Sequence, residues 1–329
     1  MSMVGENAIA VRDLVVTNGD VTAVRGVSFT IPRGGRMGLV GESGSGKSMT
    51  ALALMGLLPM GWGTRGEVRH DGVDLLTQSD RALANRRGRT VSMVFQDPLS
   101  SLNPVRRVGD QISWVIRRHT GADKKAANLQ TIELLTQMKL PSPERLLRAY
   151  PHEISGGQRQ RIMIAMALAC YPELIIADEP TTALDVTVQK QVLRLLNGAV
   201  RERGSALLMI THDLPIIAAM CDTVAVMYAG RIVEKGPVAE VFRNPQHHYT
   251  RGLLDSQPTM DNIALDGSSR LVSIPGMVPP LTDLPSGCAF HPRCAATIDK
   301  CITVMPDMDM GRRAACWRPV ETMKDVVVR

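Results

Sequence analysis

Aromatic side chains are scarce in this chain: three Trp, four Tyr and four Phe amount to 3 % of 329 residues. Surfaces that bind single-stranded nucleic acid stack bases on aromatic rings, so the scarcity argues against that function. No apolar run reaches the length of about 18 residues that a membrane-spanning helix needs. The start, Met1 to Ala10, carries Glu6 and no apolar core of signal-peptide type, so export is not expected. Low-complexity sequence is also missing, and the 44 % apolar content supports a real core. The length suits one large domain with an appendage, or two modest ones. Net charge is +6, from 38 basic and 32 acidic residues, with a pI near 9.1. The basic residues are spread out, and clusters such as Arg86-Arg87-Gly88-Arg89 are short. That pattern describes a solvated surface better than a nucleic-acid footprint.

The most informative stretch is Gly41-Glu42-Ser43-Gly44-Ser45-Gly46-Lys47-Ser48. It matches the phosphate-binding pattern G-x-x-x-x-G-K-[ST], and its flanks fit. The apolar run Met37-Gly38-Leu39-Val40 before it predicts a buried strand, and Met49 to Leu58 after it, rich in Ala, Leu and Met, predicts a helix. Strand, glycine loop and helix N-terminus form an anion cradle, because free N–H groups and the positive helix end point at one spot. In such a cradle Lys47 reaches the outer phosphates and the Ser48 hydroxyl holds Mg²⁺.

Residues Ile9–Val16 and Val24–Ile31 read as strands, the second ending at the turn Pro32-Arg33-Gly34-Gly35. Glu67–Val73, with Asp71-Gly72 as a turn signal, reads as a short strand pair. Thr90–Phe95 predicts a buried strand ending in Gln96-Asp97-Pro98. From about Leu99 to Ala169 the pattern is mostly helical, with loops around Gly121 and Pro141-Ser142-Pro143. Strands return at Leu174–Ala177, Ala206–Ile210 and Thr223–Met227, with a crossover helix over Val186–Glu202. This alternation predicts an α/β core with a parallel sheet, into which the helical stretch is inserted as a subdomain. After about Ser256 the composition shifts. Gln257–Pro285 reads as an extended linker, and Gly287–Trp317 holds four of the six cysteines as a separate small unit.

Leu174-Ile175-Ile176-Ala177-Asp178-Glu179 is an apolar strand ending in two acids, which puts both carboxylates at the carboxyl edge of the sheet beside the glycine loop. There Asp178 suits Mg²⁺ and Glu179 suits polarising a water. Taken alone, such a pair is more often a helix cap; the glycine loop reverses that. Ile154 followed by Ser155-Gly156-Gly157-Gln158-Arg159-Gln160-Arg161 places two glycines before a long helix, where backbone can approach an anion closely.

These three runs, in this order, resemble those of the ATP-binding cassette (ABC) ATPases. So do Gln96, Ala183-Leu184-Asp185, and His212 in Ile210-Thr211-His212-Asp213. The resemblance covers roughly residues 8–255. It implies a P-loop NTPase fold of ABC type with an antiparallel β subdomain, an inserted helical subdomain at about 97–170, and a cassette spanning 1–255. It further implies a head-to-tail dimer of two cassettes sandwiching two ATP molecules. Each site takes residues 41–48 from one cassette and Ser155, Gly156, Gly157 and Gln158 from the other. Carried over by position, Glu179 is the general base and His212 the γ-phosphate contact. Gln96 touches Mg²⁺ and the attacking water, Ser48 and Asp178 complete the metal site, and Asp185 lies at the dimer contact. The family usually stacks adenine on an aromatic shortly before the second strand. Val15-Val16-Thr17-Asn18-Gly19-Asp20-Val21 contains none, which predicts looser base selectivity.

Phe95-Gln96-Asp97-Pro98-Leu99-Ser100-Ser101-Leu102-Asn103-Pro104 and Val108-Gly109-Asp110-Gln111-Ile112 narrow the resemblance to the dipeptide and oligopeptide importer branch. Tyr150-Pro151-His152-Glu153, Asn244-Pro245-Gln246-His247-His248-Tyr249-Thr250 and Pro285-Ser286-Gly287-Cys288-Ala289-Phe290-His291-Pro292-Arg293-Cys294 agree. The branch, which also contains nickel and glutathione importers, implies a peripheral ATPase subunit on the cytoplasmic face of the bacterial inner membrane. Its partners would be a related second ATPase subunit, two transmembrane permeases and an extracytoplasmic binding protein, with no nucleic acid. A soluble ABC ATPase acting on ribosomes or DNA is the rival; such proteins commonly carry two cassettes or a long coiled-coil insertion, and neither pattern is present.

Cys288, Cys294, Cys301 and Cys316 are separated by five, six and fourteen residues. A disulfide framework does not suit an intracellular ATPase, and structural zinc prefers closer pairs. Four thiolates without a close pair suit an iron–sulfur cluster, and the branch's tail implies a [4Fe–4S] cluster, with zinc or no metal as alternatives. Cys170 and Cys221 sit in apolar surroundings and read as core residues.

Overall fold

The computed structural model describes residues 6–97, 101–181, 184–257, 273–308 and 312–320. Pro98-Leu99-Ser100, Ala183 and linker residues 258–272 lie outside the described residues.

Two twelve-residue strands, β1 (Asn7–Asn18) and β2 (Val21–Pro32), pair antiparallel across the turn Gly19-Asp20. Strands β3 (Arg36–Val40), β4 (Gly63–His70), β5 (Val73–Asp74), β6 (Val91–Val94), β7 (Leu174–Asp178), β8 (Ala206–Thr211), β9 (Thr223–Tyr228) and β10 (Arg231–Pro237) follow. They form two sheets: a four-stranded one in the order β2-β1-β4-β5, and a six-stranded one in the order β10-β9-β3-β8-β7-β6. In the larger sheet β9, β3, β8, β7 and β6 run parallel, and β10 closes one edge antiparallel. Strand β10 carries Arg231, Glu234 and Lys235 among its apolar residues, which hides it in the sequence; the preceding Ala229-Gly230 turn, both residues at positive φ, is its one local signal.

The parallel strands are buried on both faces, which is why they read as unbroken apolar runs. Along β7, Leu174 and Ile176 face one core while Ile175 and Ala177 face the other. In β8, Ala206, Leu208 and Ile210 lie on the first side and Leu207 and Met209 on the second. The first core is shared with the antiparallel sheet through Ile9, Val11, Leu14 and Phe29. The second is shared with the helices between β6 and β7: Val108–Thr120, Lys124–Gln137 and Gly156–Leu168. Ile112 and Ile116, one helical turn apart, are both fully buried there.

Register fixes where chemistry can happen. Val40 is opposite Thr211, Ile210 is opposite Asp178, and Ala177 is opposite Val94. The carboxyl ends of β3, β8, β7 and β6 therefore form one edge, and every chain segment leaving that edge starts beside its neighbours.

Candidate functional site

The glycine loop leaves the end of β3 and runs into the helix Lys47–Met55. Its glycines are required by crowding. A Cβ on Gly41 would lie 2.2 Å from the Met227 carbonyl oxygen, and one on Gly46, at φ 99°, would lie 2.4 Å from the Ala23 carbonyl oxygen. The loop thus packs its backbone directly on β9 and β2, which holds it rigid.

Lys47 folds back into this loop, donating to the Gly41 and Glu42 carbonyl oxygens at 2.8 and 2.9 Å and to Ser45 Oγ at 3.3 Å. Burial pulls its pKa below the ordinary lysine value, opposed by the charges of Glu179, Asp178 and Glu42. At the end of β7, burial pushes the Asp178 carboxyl up, opposed by a hydrogen bond from the Ser48 hydroxyl. Asp178 Oδ1 is buried with no hydrogen-bond partner. A buried oxygen without a donor, beside a hydroxyl that leads into a phosphate cradle, fits a hard cation, and Ser48 and Asp178 are the residues that would hold Mg²⁺. Bound there, the ion would neutralise phosphate charge.

The next residue, Glu179, turns sharply with φ 43° while its N–H donates to the Ile210 carbonyl at 2.8 Å. A non-glycine residue in the left-handed region is costly, and it is kept where the side chain must point away from the strand. Gln96 Nε2 donates to Glu179 Oε2 at 3.1 Å, and His212 Nδ1 lies 3.1 Å from Glu179 Oε1. One carboxylate is thus held from two sides by the segments after β6 and β8, with His212 itself largely exposed (68 %). The fold brings together residues 41–48, Gln96, Asp178, Glu179 and His212.

It does not bring Ser155–Gln158 into that network. Ser155 caps the helix Gly156–Leu168: its Oγ accepts from the Gln158 N–H at 3.4 Å and its own N–H donates to Gln158 Oε1 at 3.0 Å. Gly156 faces open space, whereas a Cβ on Gly157 would meet Val188 Cγ1 at 2.9 Å. Asp185, also exposed, caps Val186–Arg203 by accepting from the Thr187 and Val188 N–H groups. Val186 beside it is 66 % exposed. The two helix starts sit together, turned to solvent.

Two residues lie in the branch-specific runs 244–250 and 285–294, but sequence reading gave neither a place at the site. The Glu42 N–H donates to the Tyr249 hydroxyl at 2.8 Å, and Arg293 from the tail binds the Glu42 carboxylate through both terminal nitrogens. Among the described residues, one group has the spacing of a single-ion metal site: His70, Asp71 and Glu173. The Arg33 guanidinium already bonds both of its carboxylates and so fills the cation's place.

Residues 24–182 match the family model of the ABC transporter, and residues 233–301 match that of the oligopeptide/dipeptide transporter, C-terminal region. A dimeric ATP-binding cassette, MJ0796 bound to ADP and Pi, superposes with a TM-score of 0.63 at 26 % identity, over 70 % of this chain and 98 % of that one. Fold and site together define a P-loop ATPase of the ATP-binding cassette type. The oligopeptide transport ATP-binding protein OppD of Salmonella typhimurium is 47 % identical over 321 residues, 96 % of this chain and 95 % of the relative. OppD of Bacillus subtilis is 48 % identical over 288 residues, 86 % of this chain and 80 % of the relative. The chain belongs to the family of oligopeptide and dipeptide transport ATP-binding proteins.

The [4Fe–4S] cluster expected on Cys288, Cys294, Cys301 and Cys316 is corrected by this comparison. The relatives that match nearly end to end are named as transport ATP-binding proteins, with no cluster, and the model covering three of these cysteines describes a transporter C-terminal region. The packing gives a physical reason. The four side chains border an apolar cavity of about 20 Å³, shared with Phe290 and Trp317, which is room for about one water. Burial pushes the Cys288 and Cys294 thiols up and the Cys316 thiol to about 11, as in packed, neutral side chains. No three of the sulfurs lie within 4.8 Å of one another, the spacing of a single-ion site such as zinc. Cys221 is buried and Cys170 half-buried, as core residues are.

Proposed function

We propose that this chain is the ATP-hydrolysing subunit that energises import of di- and oligopeptides, working as one half of a head-to-tail cassette dimer. The observation that carries the reading is the split of the site. Glycine loop, Asp178, Glu179, Gln96 and His212 share one sheet edge, while the capped helix start at Ser155-Gly156-Gly157-Gln158 forms no bond with them. An exposed, glycine-flanked helix N-terminus suits the phosphates of a nucleotide held by another cassette. Asp185 and the exposed Val186 beside it supply the contact surface. Glu179 acts as the general base toward water, oriented by Gln96 and His212. Lys47 and the loop N–H groups hold the outer phosphates, and Ser48, Asp178 and Gln96 are the residues that would hold Mg²⁺.

The second ATPase subunit, two permeases and an external binding protein complete the importer at the inner face of the cell membrane. No helix among the described residues is long and apolar enough to cross a membrane. A groove of about 340 Å³ opens beside Phe95, the neighbour of Gln96, and is lined by Leu57, Trp114, Val115 and Met166. Trp114 is 56 % exposed there. A permease segment seated in it would press on the strand end that carries Gln96, and through Gln96 on Glu179. The inserted helices form the outer wall of that groove, and we read the chain as a cassette at 1–255 followed by an extension at 256–329.

The test is peptide uptake by proteoliposomes holding the assembled importer. ATP-dependent uptake of a labelled tri- or tetrapeptide is expected; uptake of nickel or glutathione without peptide uptake would move the chain to another member of the branch. Sedimentation with ribosomes or DNA, with no membrane partner, would remove the transport reading. The split site makes a further prediction. Ser155→Arg should leave nucleotide binding to this chain's own loop within about twofold, yet cut hydrolysis at the composite site by about 100-fold or more, because a bulky cation replaces a helix-terminal contact made at the transition state. Equal loss of binding and turnover would place Ser155 in this chain's own site.

A further inference from the structure

Three of the chain's scarce aromatics meet at one joint. Tyr228 at the end of β9, Tyr249 in the helix His248–Asp255 and Phe290 in the tail pack with ring centroids 4.7, 5.3 and 5.4 Å apart. Arg293 threads this joint with its side chain only 5 % exposed. The guanidinium lies 5.8 Å from the Tyr228 centroid and 5.9 Å from that of Phe290, and Nε donates to the Pro275 carbonyl at 2.8 Å. Its two terminal nitrogens reach Glu42 Oε2 at 2.7 Å and Glu42 Oε1 at 3.0 Å. This is a bidentate fork in a mostly dry setting, the strong form of a charge-assisted pair.

Glu42 is the second residue of the phosphate loop. Its N–H is held by Tyr249 and its carbonyl accepts from Lys47. A loop shaped to receive a polyanion is a poor place for a carboxylate, since each phosphate brought in meets a like charge. The negative charge of Glu42 already acts on Lys47. Arg293 cancels that charge and draws the carboxylate toward the tail.

We propose that Arg293 is a positioning residue of the ATP site: it masks the Glu42 carboxylate and holds it clear of the phosphates, so that seating of the C-terminal tail sets nucleotide affinity. The proposal rests on residues 41–48 being the phosphate cradle. It gives the tail a task in the cassette's own chemistry, through a contact spanning 251 positions of sequence.

The experiment measures the Kd of a fluorescent ATP analogue with Mg²⁺ on the full chain, at low and high salt, with KM and kcat taken on the assembled importer. Arg293→Met should weaken binding about tenfold at low salt and less at high salt, because the exposed carboxylate repels the nucleotide through a screened field. The loss should appear in Kd and KM, with kcat changed by no more than about twofold. Glu42→Gln should bind about threefold more tightly than the parent at low salt, because the Arg293 charge is then uncompensated beside the loop. The double variant Glu42→Gln/Arg293→Met should return to within about twofold of the parent, because the charge to be masked is gone. A purely structural tail contact would instead lower thermal stability and leave the double variant as weak as Arg293→Met, and that result overturns the proposal. So does unchanged affinity in Arg293→Met. If Arg293→Met does not fold, Glu42→Gln still decides: a tenfold loss in that variant alone overturns the masking role. Lys47→Ala runs beside them; parent-like affinity in that variant would bring down the cradle reading itself, independently of Arg293.

Discussion

Glu179→Gln is expected to bind ATP normally and to hydrolyse it about 10²- to 10⁴-fold more slowly, the range that a positioned general base supplies. The substitution keeps shape and removes only the basic lone pair. Its amide can still meet Gln96 and His212, which approach the carboxylate at 3.1 Å each. In the proposed site the glycine loop and Asp178 hold nucleotide from other strands, so affinity should stay within about threefold of the parent, since only binding made in the transition state is removed. With hydrolysis blocked, ATP should hold the cassettes together. Size-exclusion chromatography of the variant mixed with the proposed second ATPase subunit should show a stable dimer with ATP and none with ADP. Turnover near the parent rate would remove Glu179 from the base role and leave it a structural partner of His212.

Lys47→Ala is expected to weaken ATP binding by about 30- to 1,000-fold, the usual consequence of truncating one partner of a buried charge pair. In the free protein the ammonium is held by two carbonyls and a hydroxyl of its own loop, so the loop is shaped around it before nucleotide arrives. Truncation removes both the phosphate contact and that internal brace. Turnover at saturating ATP should also fall, because in the proposed site Lys47 meets charge that grows on the outer phosphate. The same residue predicts a pH effect. Burial lowers its pKa from the ordinary lysine value, and bound phosphate would favour the charged form. ATP affinity is therefore full below the free protein's Lys47 pKa and declines as pH rises through it, sooner than for an exposed lysine. Isothermal titration between neutral and alkaline pH, with Lys47→Ala as the control lacking this slope, would measure it.

The glycine loop, the apolar strands and the acidic strand end were legible because local spacing alone encodes them. A strand buried on both faces must be continuously apolar, and a loop that packs its backbone 2.2 Å from where a side chain would begin must be glycine. The charged edge strand β10 and the short helices Leu214–Met220 and Val238–Arg243 were not legible. Their stability comes from what they pack on, as with buried Glu234, which accepts from the N–H groups of Gln246 and His247 at 2.8 and 2.9 Å. The cysteine tail misled for a related reason: thiol spacing along the chain does not reveal how closely the side chains pack around the sulfurs.

By itself, then, the sequence determined the class of chemistry. Its motifs name the residue types that phosphate, Mg²⁺ and an attacking water require, and their order assigns each to a strand end. Only the tertiary structure decided which of them meet. The parallel register put Asp178, Glu179, Gln96 and His212 on one edge with the loop, and left Ser155 and Asp185 facing outward. Arg293 came to Glu42 from 251 positions away by the same means. Contacts between distant residues are set by packing and register, which no local pattern records.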